Sequence, residues 1–154
     1  MNSLICFTDG ACTNNGYKNA RASYAVVWPN NTEMNVGVKL EGQPTNNRAE
    51  YSALIHAYKQ ADEIDPENTK SLVVYTDSML LINSLTKWLP VWSKNNYKKR
   101  DNVQISNLDL VLILEEYYTK RKTIFNHVKA HTNGQSWECI YNNQVDLLAK
   151  SMLK

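Results

Sequence analysis

The sequence predicts an α/β domain in which a mixed β-sheet is flanked by helices. Three observations predict it: apolar runs of strand length at 4–7, 22–28 and 72–75, apolar positions at helical spacing in 49–61, 79–88 and 145–152, and alternation of the two kinds of segment after residue 45. The chain has 154 residues, enough for one buried core and too few for two domains of ordinary size, so a single domain over 1–154 is expected.

Leu4-Ile5-Cys6-Phe7 reads as a buried strand that ends in Thr8-Asp9-Gly10 and delivers Asp9 to its C-terminal end. Ala22–Trp28 is rich in β-formers and stops at Pro29-Asn30-Asn31. Met34, Val36, Val38 and Leu40 then alternate with Asn35, Gly37 and Lys39, which gives a third strand. Thr45-Asn46-Asn47 opens a helix carrying Ala49, Ala53, Leu54, Ala57, Tyr58 and Ala61, with Glu50 near its start and Pro66 after its end. Leu72–Tyr75 repeats the first pattern and ends in Thr76-Asp77. A helical stretch through Met79, Ile82, Leu85 and Trp88 follows, then a polar, basic stretch over 93–102 and a helix with Leu108, Val111, Leu112 and Glu115. Thr123–Val128 reads as the last strand, and Val145, Leu148, Ala149 and Met152 lie on the last helix.

Composition excludes several classes. Hydrophobic residues make up 43% and charged residues 21%, without the bias of a disordered or collagenous chain. The N-terminus has no basic region and only a short apolar run before Asp9, so neither export nor a membrane span is expected and an intracellular location is. Cys6, Cys12 and Cys139 form no CxxC pair and leave one cysteine over in any pairing, which fits a reducing compartment and ordinary packing roles. The net charge of +2 is too small to argue for a nucleic-acid partner by itself.

The distribution of acids says more. Asp9 and Asp77 at strand ends, Glu50 early in a helix and Asp146 in the last helix could meet at one end of the sheet. Four carboxylates there repel one another unless cations neutralise them, and an open set of hard oxygen donors suits Mg²⁺ or Mn²⁺ better than zinc. Any one of these positions alone reads as an ordinary turn or helix-cap acid.

The motifs TDGAC at 8–12, TNNRAEYSAL at 45–54, YTDSMLLINSL at 75–85, HVKAH at 127–131 and NNQVDLLAK at 142–150 occur in this order. Together they resemble type 1 ribonuclease H over nearly the whole chain. TNNG at 13–16, NVGVKLEG at 35–42, Trp88 and Trp92 are similar to the eukaryotic type 1 catalytic domain. The resemblance implies a ribonuclease H-like fold, with three antiparallel strands followed by two parallel ones; the separate hybrid-binding domain common in the eukaryotic enzymes is not expected within 1–154. It implies hydrolysis of the RNA strand of an RNA–DNA hybrid by a monomer, leaving 5′-phosphate and 3′-hydroxyl ends. Asp9, Glu50, Asp77 and Asp146 would then hold two Mg²⁺ ions, with Mn²⁺ a substitute, and His131 would assist product departure.

The same resemblance assigns Asn15, Asn46 and Asn47 to ribose 2′-hydroxyls, for which asparagine offers both a donor and an acceptor. Thr45 matches a residue that helps hold a DNA phosphate. Lys94, Lys98 and Lys99, interleaved with Trp88, Trp92 and Tyr97 and with no acid between Lys87 and Arg100, resemble the family's basic protrusion. There are departures. Gln43 stands where arginine is frequent, Leu80 where an aromatic is frequent, and Tyr141 where glycine commonly precedes the asparagine, while the stretch 131–146 is several residues longer than the usual loop. Weaker DNA-strand affinity is the expected consequence of the first two. Two other readings are another nuclease on the same fold and a hybrid-binding module without catalysis; TNNRAE, TDGAC and the basic stretch argue against the first, and the four acids against the second.

Overall fold

The computed structural model describes residues 2–129 and 134–154. Its strands are β1 (Ser3–Thr13), β2 (Arg21–Val27), β3 (Val36–Lys39), β4 (Ser71–Thr76) and β5 (Thr123–His127), in the sheet order β3-β2-β1-β4-β5. The first three pair antiparallel, and β4 pairs parallel with both β1 and β5. The helices are α1 (Asn46–Ile64), α2 (Met79–Asn83), α3 (Leu89–Lys94), α4 (Leu108–Lys120) and α5 (Trp137–Ser151), with a π-helical turn over Ser84–Trp88 joining α2 to α3.

Alternation along the strands sends side chains to two cores. Cys6, Val26, Leu72 and Val74 face the larger one, with Leu54 and Tyr58 of α1 and Leu114 of α4. Phe7, Ala25 and Val27 face the smaller one, with Val145 and Ala149 of α5. Ala49, Ala53, Ala57 and Ala61 recur every four residues on α1 and are fully buried. That stripe of small residues lets the helix lie close to the sheet. Fully buried Trp28 donates its indole N–H to Gln60 Oε1 at 2.8 Å, so the largest core side chain also has its polar atom satisfied.

The structure departs from the sequence expectations in four places. β1 does not end at Asp9: its antiparallel pairing with β2 continues to Thr13, with Asp9 opposite Ala25. Its parallel pairing with β4 does stop at Phe7, so Asp9 stands just past the end of that ladder. Met34 belongs to a 3-10 turn (Thr32–Met34), and Leu40 follows β3. The helical stretch after Asp77 runs on to Lys94 and takes in the start of the basic stretch. Finally, the stretch 131–146 is not one long loop, because α5 begins at Trp137, where the Ser136 side chain accepts from the Cys139 backbone N–H as N-cap. Among the described residues no helix is long and apolar enough to cross a membrane, and no disulfide joins Cys6, Cys12 or Cys139.

Candidate active site

Four elements converge at one end of the sheet. Asp9 comes from β1, Asp77 from the residue after β4, Glu50 from the fifth residue of α1 and Asp146 from α5. Carboxylate oxygens of Asp9, Glu50 and Asp77 lie within 4.8 Å of one another. All four acids line one open cavity of about 630 Å³. Asp146 stands against Asp9 and pairs through Oδ2 with Lys150 Nζ at 3.0 Å, one turn further along α5.

Gly10 makes the Glu50 position possible. A Cβ there would fall 2.9 Å from both Ala49 Cβ and the Glu50 backbone nitrogen, so only glycine lets α1 come this close to β1. The start of α1 is fixed from both sides. Thr45 is its N-cap, its hydroxyl accepting from the Arg48 N–H at 3.2 Å, and Asn15 Oδ1 accepts from the Asn46 N–H at 3.1 Å.

The electrostatics are those of a site short of positive charge. Burial, the charges of Glu50 and Asp77 and the adjoining Asp146 push the Asp9 pKa up to about 10. Burial and Asp77 push Glu50 up to about 8, against the pull of the Gly10 backbone N–H. Six buried side-chain polar atoms among the described residues have no hydrogen-bond partner, and Asp9 Oδ2 and Glu50 Oε1 are two of them. Such orphans are rare because an unpaired buried acceptor is costly. Clustered all-oxygen donors with unfilled acceptor capacity and mutual repulsion fit a hard divalent cation, which removes both penalties together. Arg21, Lys150 and Lys154 rim the cavity with positive charge suited to phosphate.

The other expected residues divide among adjoining surfaces. Asn46 lines the carboxylate cavity. Asn15, Thr45 and Asn47 line a neighbouring polar cavity of about 490 Å³, together with Gln43, Ser106 and Asn107. Asn47, Ser106 and Asn107 are shared with a third cavity of about 340 Å³ lined by Leu80, Trp88, Trp92 and Lys99. These two joined cavities form a track from Asn15 and Thr45 to the two tryptophans, whose rings are 5.8 Å apart, and Asn46, between Thr45 and Asn47 in the chain, lines the acid cavity beside it. Lys99 faces that track; Lys94, at the end of α3, is exposed, and Lys98 is half-buried, its backbone bridging to Gln104. Tyr97 holds the basic segment in place: its backbone adopts a left-handed conformation, with φ 59°, and its hydroxyl donates to Glu115 of α4 at 2.6 Å. His131 lies outside the described residues, and His127 is the last residue of β5, in keeping with the strand pattern.

Sequence reasoning missed Gly10, Lys150, Ser106 and Asn107. Lys150 was detectable from its i+4 spacing to Asp146. Asn107, in a left-handed conformation with φ 60° just before α4, accepts from Arg48, which also forks onto Asp109 at 2.7 and 3.0 Å. Asparagine tolerates that conformation, so Ser-Asn ahead of an apolar run was the available signal.

An α/β domain with an acid cluster where its two central parallel strands part, beside a basic and aromatic track, has the chemistry of a divalent-cation site next to a surface suited to a polyanion. Comparison with known proteins narrows this. A family model described as RNase H matches residues 1–154. The chain is 35% identical to Ribonuclease H1 of Mus musculus over 99% of its own length and 50% of that protein's. It is 32% identical to Ribonuclease H of Clostridium botulinum over 99% of its own length and 97% of that protein's. Among solved structures, the solution structure of the PFV RNase H domain superimposes with a TM-score of 0.77 at 22% identity, covering 97% of this chain and 93% of that one. The chain belongs to the RNase H family. It spans about half the length of the mammalian relatives it matches.

Proposed function

We propose that the protein is a ribonuclease H that hydrolyses the RNA strand of RNA–DNA hybrids at the Asp9, Glu50, Asp77 and Asp146 cluster. The observation that carries this reading is the approach of three carboxylates to within 4.8 Å, with two of their oxygens buried and unpartnered, in a chain of this family. Asp9, Glu50, Asp77 and Asp146 would hold two Mg²⁺ ions, or Mn²⁺ in their place. Bound there, the ions supply an activated water and neutralisation of the charge that builds up during in-line attack on the phosphodiester. The remaining work falls to the chain. Gly10 and the doubly fixed start of α1 hold Glu50 in place, Lys150 orients Asp146, and the basic rim of the cavity attracts the phosphate. Products with 5′-phosphate and 3′-hydroxyl ends follow from attack of water on phosphorus with departure of the 3′-oxygen. His131 is assigned to product departure on the motif resemblance.

Asn46 beside the acids, with Asn15 and Asn47 in the adjoining cavity, would read ribose 2′-hydroxyls. Asn15 already uses its oxygen on the Asn46 N–H, so its contribution to a hydroxyl is its amide donor. Cleavage therefore depends on consecutive ribonucleotides opposite DNA. A duplex with a run of ribonucleotides should be cut efficiently and one with a single embedded ribonucleotide poorly, as rates on matched labelled duplexes will measure. Efficient cutting at single ribonucleotides contradicts the asparagine assignment.

The track past Trp88, Trp92 and Lys99 would take the DNA strand, with Thr45 on one of its phosphates. Replacing Lys94, Lys98 and Lys99 together with alanine should raise KM more than it lowers kcat. It should also flatten the dependence of log KM on log salt, by roughly one for each phosphate that a lysine no longer neutralises. Lys99, which faces the track, should give the largest single share. A salt slope equal to wild type returns the segment to an ordinary solvated surface.

A further inference from the structure

We propose that Trp137 and Tyr141 are positioning residues: with Phe7 and Tyr75 they form an aromatic clamp that fixes α5 against β1 and β4 and so sets the approach of Asp146 to Asp9 and Asp77. The proposal rests on reading the four acids as a cation site. Phe7 and Tyr75 are the last residues of β1 and β4 that pair with each other, and each stands two residues before an acid of the cluster, Asp9 and Asp77. Beyond that pair no hydrogen-bond ladder ties the two strands to each other.

Ring contacts take over there. Phe7 and Tyr75 stack with centroids 4.7 Å apart and planes at 15°. Trp137 meets both edge-on, at 5.7 Å and 82° from Phe7 and at 5.1 Å and 69° from Tyr75. Tyr141 closes the set at 5.5 Å from Phe7 and 6.1 Å from Trp137. Stacked and edge-on pairs are the favoured geometries of aromatic side chains, and one ring meeting two others at steep angles resists sliding along either strand. Asp146 lies on the same helix, five residues past Tyr141. It is not one of the three acids in the tight group, and Lys150 holds one of its oxygens, so its distance from Asp9 follows the placement of α5. Trp137 itself falls within the stretch that the sequence pattern reads as a lengthened loop. A ligand constellation must be held to about half an ångström to work. Val145 and Ala149 in the smaller core and the Ser23 hydroxyl on the Ala149 carbonyl hold the far half of α5 against the sheet, and this clamp holds the half that precedes Asp146.

The test compares Trp137→Ala with Trp137→Phe. Trp137 is 42% exposed, so its loss opens no sealed cavity in the core. Trp137→Ala should raise the Kd for Mg²⁺, measured by calorimetry without nucleic acid, by about 10-fold, the size of effect seen when a metal ligand loses its orienting support. The Mg²⁺ needed for half-maximal cleavage should rise equally, while KM for hybrid at saturating Mg²⁺ stays at the wild-type value. Trp137→Phe, which restores a ring edge, should recover most of the affinity. Amide hydrogen exchange in the metal-free protein gives a reading that involves no cation: Trp137→Ala should speed exchange over 142–149 and leave α1 unchanged. Wild-type Mg²⁺ affinity in Trp137→Ala overturns the proposal, as does Trp137→Phe behaving like Trp137→Ala. If the wild type binds no Mg²⁺, the cation-site reading fails, and unchanged exchange over 142–149 then overturns the clamp separately. Should Trp137→Ala not fold, Trp137→Leu, which keeps apolar volume without a ring edge, carries the same expectations.

Discussion

Asp77→Asn should abolish hybrid cleavage, lowering the rate by roughly 10³-fold or more, and leave the melting temperature equal to or above that of wild type. The substitution keeps the volume and removes the charge. Cation-borne charge stabilisation is worth several kcal/mol in the transition state, and about 4 kcal/mol corresponds to the stated factor. The stability effect has the opposite sign. Asp77 helps raise both the Asp9 and the Glu50 pKa, so without cations its charge is a repulsion that the fold must overcome. Removing it relieves strain at a functional site, a common route to a more stable but inactive variant. Paired measurements of single-turnover cleavage in Mg²⁺ and of thermal unfolding in chelator will check both halves. A variant that cuts hybrid at near wild-type rate sinks the assignment of Asp77.

Gly10→Ala should harm activity and stability together. The new Cβ would sit 2.9 Å from the Glu50 backbone nitrogen and 3.0 Å from the Ala49 carbonyl carbon, and backbone in a helix cannot yield without moving the helix. Overpacking of this kind costs about 1–3 kcal/mol. The activity loss should be larger than the stability loss suggests, on the order of 10²-fold, because a shift of about 1 Å at a catalytic group has that effect. Adding Ala49→Gly separates the two. It removes the Cβ–Cβ contact, also 2.9 Å, and should return part of the stability, but the contact with the Glu50 nitrogen remains and activity should stay low. Gly10→Ala with wild-type turnover shows that Glu50 does not need the close approach of α1.

Much of this arrangement was legible in the sequence because the fold uses strong periodic signals. The apolar runs before Asp9 and Asp77 became the two central strands, and the alanines of 49–61 became the helix face that brings Glu50 to them. The length of β1 was not legible. Asp and Gly are poor strand formers and read as a turn, yet pairing with β2 carries both along the edge of the site. The start of α5 was hidden by the polar run Thr132 to Ser136, although Ser136 followed by Trp137, Ile140 and Tyr141 is a cap ahead of helical spacing. The aromatic contacts between Phe7, Tyr75, Trp137 and Tyr141 depend on strand register and on where α5 docks, and neither is written in local pattern. Asn107 was missed for the same reason: its place beside Asn47 follows from the Arg48–Asp109 pair, 61 residues apart.

A carboxylate cluster that acts as a cation-dependent centre for hybrids must discriminate between duplexes and must stop when its cations are removed. Its most direct test is cleavage of a 5′-labelled RNA paired with DNA, with the same RNA paired with RNA and an all-DNA duplex beside it, each in Mg²⁺ and in chelator. The predicted result is fragments from the RNA–DNA hybrid in Mg²⁺ alone, ending in 3′-hydroxyls and 5′-phosphates. Cleavage that persists in chelator, or that treats the three duplexes alike, contradicts it.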